Sequence, residues 1–114
     1  MEHRTILYIF DRGNRSNSVF AAIEEAGCEV VSTDRPTQAV ALLYILGQIS
    51  AVVLDSQVRK HANFDVVESL RKIRPEVPVV LKCCDQIHSK LSLTETCVST
   101  DKLLAVLQHL LNDV

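Results

Sequence analysis

Apolar positions along the chain follow two alternating patterns. Short runs rich in Val, Ile and Leu stand at TILYIF (5–10), CEVVST (28–33), AVVLD (51–55), VPVVLK (77–82) and, more faintly, ETCVS (95–99). Each has the length and composition of a strand. The runs are nearly continuous rather than strictly alternating, as expected of strands covered on both faces of a parallel sheet. Between them, apolar residues recur at helical spacing. Asn17 to Ala26 sets Val19, Phe20, Ile23 and Ala26 on one face, and Gly27 follows as a stop. Pro36 opens a second helix carrying Ala39, Val40, Leu42, Leu43 and Leu46, which is expected to end at Gly47. A third runs from about Asp65 to Ile73 with Val66, Val67, Leu70 and Ile73 inward, before Pro75 and Pro78. Ser99 or Thr100 caps a last helix with Leu103, Leu104, Leu107, Leu110 and Leu111 on its apolar side.

Strands alternating with helices predict an α/β fold, a doubly wound parallel sheet whose functional crevice lies at the carboxyl ends of the strands. The residues to read are therefore Asp11, Asp55, Cys83 and the stretch from Thr96 to Thr100. A length of 114 residues fits one domain over 1–114, with enough chain for a core that needs no disulfide staples. The chain is 47% hydrophobic and 23% charged, which is a globular composition. Net charge is −2, so neither nucleic acid nor an anionic membrane is expected as main partner. The longest apolar run, Ala39 to Leu46, is too short to span a bilayer, and the charged start MEHRT is unlike a signal peptide. A cytoplasmic protein with reduced thiols is expected. Cys28, Cys83, Cys84 and Cys97 match no zinc spacing.

ILYIFD, AGCEVVST, AVVLD and SLRKIRPEVPVVL together resemble the receiver domain of two-component response regulators, over essentially the whole chain. The resemblance implies a flavodoxin-like (βα)₅ fold, a five-stranded parallel sheet in the order 2-1-3-4-5. It implies a phosphoacceptor at Asp55 and a Mg²⁺ site made by Asp11, Asp55 and the Gln57 carbonyl. The first of two successive acids after strand one is replaced by Phe10, so the site keeps its direct ligands with one charge fewer and should bind Mg²⁺ weakly. Cys83 stands where receivers carry a small hydroxyl residue against the phosphoryl group, and a thiol donates only a weak hydrogen bond. No lysine falls between Thr96 and Ser99, where the family's phosphoryl-contacting lysine would stand; Lys102 is the nearest. Lys82, one residue before the Cys83 position, should point away from the site. The loop from Asp55 to Asp65 is longer than in the family. The stretch from Asp85 to Glu95 is short, so the fourth helix region is truncated, and Leu91 and Leu93 there either plug the gap or form a partner surface.

Three functional expectations follow. The leading one is an atypical, non-enzymatic receiver of a phosphorelay, acting by protein–protein contact with impaired phosphorylation. Its partners would be signalling proteins, a histidine kinase or a downstream target. With the sequence ending at Val114, the signal would pass through the domain's own surface. The second is a conventional single-domain receiver, phosphorylated on Asp55 with Mg²⁺. The third is a cysteine-based redox or metal sensor drawing on Cys83, Cys84, Cys97 and His88. Isolated His3, His61 and His109, and the basic run Arg71, Lys72 and Arg74, read as solvated surface.

Overall fold

The computed structural model describes residues 4–12, 17–58, 60–61, 64–82, 97–98 and 100–112. Cys83, Cys84, His88, Leu91, Leu93 and the expected shortened segment lie outside the described residues.

Five parallel strands form the main sheet: β1 (Arg4–Ile9), β2 (Cys28–Thr33), β3 (Ile49–Asp55), β6 (Val79–Lys82) and β7 (Cys97–Val98), in the order β2-β1-β3-β6-β7. A two-stranded antiparallel hairpin, β4 (Lys60–His61) and β5 (Phe64–Asp65), is inserted after β3. With that hairpin left out of the numbering, the order is the expected 2-1-3-4-5. The expected long loop after Asp55 contains a 3-10 turn at Ser56–Val58 and these two short strands.

The near-continuous apolar runs have a direct cause. β1 and β3 are central and buried on both faces, whereas β2 at the edge leaves Glu29 and Ser32 exposed. Alternate residues then feed two cores. Ile6, Tyr8, Ala51, Val53 and Val80 pack against Val19, Ala22 and Ile23 of α1 (Asn17–Glu25) and Leu103, Leu107 and Leu111 of α4 (Thr100–Asn112). Leu7, Ile9, Val52, Leu54 and Leu81 face Ala39 and Leu43 of α2 (Pro36–Ile45) and Val66, Val67 and Leu70 of α3 (Val66–Ile73). A fully buried side chain of this kind stabilises by about 1.5–3 kcal/mol, so two-sided burial holds the sheet.

The helix ends follow local chemistry. Gly27 takes a left-handed φ of 84°, and its amide donates to the Glu24 carbonyl at 2.9 Å, closing α1. The Asp65 side chain accepts from the Glu68 amide at 3.2 Å and caps α3. Gly47 is not the stop of α2. The helix ends at Ile45, Leu46 is extended, and the Leu46 amide donates to the Leu42 carbonyl at 2.7 Å. Val77 stays outside β6, which begins after Pro78; the Pro78 carbonyl still accepts from the Val52 amide at 2.9 Å.

Candidate functional site

Asp55 is the last residue of β3, and the sheet register determines its neighbours. It pairs with Lys82 on β6 and shares the α1/α4 face with Val53 and Tyr8. The residue is 8% exposed. The fully buried Tyr8 hydroxyl donates to both carboxylate oxygens, at 3.2 Å and 3.4 Å. The Asp11 amide, just past β1, donates to Oδ2 at 3.4 Å. All three bonds are long, so they orient the carboxylate more than they bind it tightly.

Burial pushes the Asp55 carboxyl above its ordinary range, and the negative charge of Asp11 pushes it the same way. The Lys82 ammonium, the Asp11 amide and the Tyr8 hydroxyl oppose the shift without cancelling it. Lys82 therefore does not point away from Asp55. Register partners on adjacent parallel strands project to the same face, so its charge is felt at the carboxylate. Along its own strand Lys82 only precedes the Cys83 position; the pairing across strands brings it to Asp55.

Phe10 makes the surroundings more apolar. Its ring lies 5.6 Å from that of Tyr8, centroid to centroid, and Phe20 meets Tyr8 edge-on at 5.5 Å. The Tyr8 hydroxyl thus reaches Asp55 from an aromatic cluster. Nothing in the run TILYIF distinguishes Tyr8 from its apolar neighbours; only its shared face with Asp55 does.

Asp11 and Gln57 line an open cleft of about 480 Å³ at the carboxyl ends of β1, β2 and β3, together with Arg12, Asp34, Arg35 and Phe64. Asp55 is not among its lining residues. Of the oxygen donors that the resemblance implies for Mg²⁺, two residues border the cleft, and the third is buried under Tyr8 and the Asp11 amide. Among the described residues, no group of three His, Cys, Asp or Glu side chains could hold a metal. Cys28 is buried, its thiol is pushed up by desolvation against the lowering effect of Arg4, and its Sγ lies 3.9 Å from the Ala26 carbonyl. Such a thiol is poorly reactive. Among the described residues, no helix is long and apolar enough to cross a membrane.

No protein-family model matches the chain, and no curated protein matches it in sequence. Solved structures do match its fold. A response regulator receiver domain protein from Clostridium thermocellum aligns with a TM-score of 0.72 at 15% identity, covering 98% of this chain and 96% of that one. The receiver domain of NtrC4 from Aquifex aeolicus aligns with a TM-score of 0.70 at 15% identity, covering 98% of both chains. The lysine decarboxylase LdcF from Francisella novicida contains a similar unit: TM-score 0.68, 14% identity, 98% of this chain but 18% of that one. The chain has the flavodoxin-like fold of response-regulator receiver domains. The decarboxylase shows that this fold alone does not fix an activity.

Proposed function

We propose that the chain is a receiver-like signalling module that works through protein–protein contact and without efficient phosphorylation of Asp55. The observation that carries this reading is the state of the Asp55 carboxylate. Phosphoryl transfer to a carboxylate needs an exposed, ionised oxygen, a metal to screen charge, and donors for the developing oxyanions. Asp55 is instead buried, bonded by Tyr8 and shifted toward its protonated form. Lys82 supplies a fixed positive charge from the adjacent strand. Phe10 gives an aromatic contact to Tyr8 where the resemblance implies a first acid. With Asp11 and Gln57 on the cleft and Asp55 not lining it, Mg²⁺ binding in this reading is weak. The partners are signalling proteins, and the module binds rather than catalyses.

Beryllofluoride with Mg²⁺ mimics an aspartyl phosphate and tests this directly. The expected result is no saturable shift of the Asp11, Asp55 or Lys82 amide signals in NMR. Saturable shifts there would establish the conventional receiver, which the juxtaposition of Asp11 and Asp55 favours. Asp55→Asn is expected to leave partner binding intact.

A further inference from the structure

The cleft beside Asp11 holds groups that a phosphoacceptor site does not need. It is walled by the segments following β1, β2 and β3, and so spans the place where the strand order reverses. Open α/β sheets bind their ligands at this place. Its volume of about 480 Å³ falls within the range of small-molecule sites.

Its charges are specific. Arg12 and Arg35 come from different loops, are both exposed, and line the same cleft. Among the described residues, neither guanidinium is held by a carboxylate. Two guanidinium groups sharing a cleft repel each other unless an anion lies between them, and their planar forks fit phosphate oxygens. Asp11 and Asp34 border the same space and balance the two arginines among the described lining residues. A bare polyanion would meet those carboxylates unfavourably. A ligand with one anionic end and hydrogen-bond donors on its body would satisfy both signs. Of the other lining residues Thr37 and Gln57 are polar, while Pro36, the buried Val58 and the half-buried Phe64 form an apolar stretch that offers a surface for a flat ring.

We infer that this cleft binds a mononucleotide. The phosphomonoester lies between Arg12 and Arg35, the hydroxyl or amino groups of the nucleoside donate to Asp11 and Asp34, and the base rests on Phe64 and Val58. Binding involves no group transfer; Asp11 and Gln57 are shared with the Mg²⁺ set that the resemblance implies, whereas Asp55 does not line the cleft.

The test is an NMR titration of the full chain with AMP and with GMP, alongside adenosine and inorganic phosphate separately. At least one nucleotide is expected to give saturable shifts at Arg12, Thr37 and Phe64, with a Kd below about 1 mM. Arg12→Ala and Arg35→Ala are each expected to weaken it by about tenfold, with unchanged circular dichroism. Asp55→Asn is expected to bind like the natural chain. The inference is overturned if neither nucleotide saturates, or if phosphate alone binds as well as the nucleotides. Folded arginine variants that keep full affinity, or loss of binding in Asp55→Asn, would also overturn it.

Discussion

Asp55 ends a central strand with its carboxylate buried against the Tyr8 hydroxyl. Its charged form is less favourable in the folded chain than in the unfolded one, because burial outweighs Lys82, Tyr8 and the Asp11 amide. Below the ordinary carboxylate range both states hold the proton, and no penalty exists. As pH rises through the elevated folded value, the folded chain must give up its proton at a cost, so stability falls across that window and stays lower above it. Asp55→Asn mimics the neutral form. It should therefore stabilise the fold near neutral pH, and the gain should shrink as pH falls toward about 4. Urea unfolding at the two pH values measures this. A loss of stability at both would show that the Tyr8 hydrogen bonds and the Lys82 charge outweigh desolvation. Asp11 and Asp55 were visible in the sequence because each follows an apolar run. Tyr8 and Lys82 were not, because their relation to Asp55 exists only across the sheet register.

At the scale of elements, the helices and central strands were legible because apolar periodicity and stop residues agreed. β2 spans Cys28–Thr33 as expected, and α3 ends at Ile73 as expected. Two features gave no signal. The hairpin strands Lys60–His61 and Phe64–Asp65 are two residues each, too short for a period to emerge. The end of α2 was misplaced because Leu46 is apolar and a good helix former, yet it is extended in the structure. The caps can be tested one at a time. Asp65→Ala removes the acceptor for the Glu68 amide and should cost about 1 kcal/mol in thermal or denaturant unfolding. Gly27→Ala meets open space but must hold a φ of 84°, so it should cost a similar amount, about 1 kcal/mol, from backbone strain alone. The α2 surface is also unusual. Tyr44 and Ile45 are 74% and 72% exposed on a helix that carries no charged residue. Ile45→Lys should leave stability within about 0.5 kcal/mol, because little packing is lost.

The whole molecule depends on covering both faces of the sheet. α1 and α4 cover one face and α2 and α3 the other, and each core includes fully buried leucine or isoleucine side chains. Leu107 is fully buried between α4 and the sheet. Leu107→Ala should cost about 2–5 kcal/mol in denaturant unfolding, a large share of the stability of a domain this size. A loss under about 1 kcal/mol would mean that α4 contributes little to that core.

One contact has a practical consequence. The Arg4 guanidinium, at the start of β1, donates to the Leu111 carbonyl in the last turn of α4. The two ends of the described chain therefore meet at the amino-end rim of the sheet, across from the cleft. The exposed turn at Gly47 and Gln48, leading into β3, lies on that same rim. A circular permutant that joins the ends by a short linker and opens the backbone between Gly47 and Gln48 should keep the strand order and leave the cleft intact. A reporter domain could then be fused at that rim without blocking the face where the strands end.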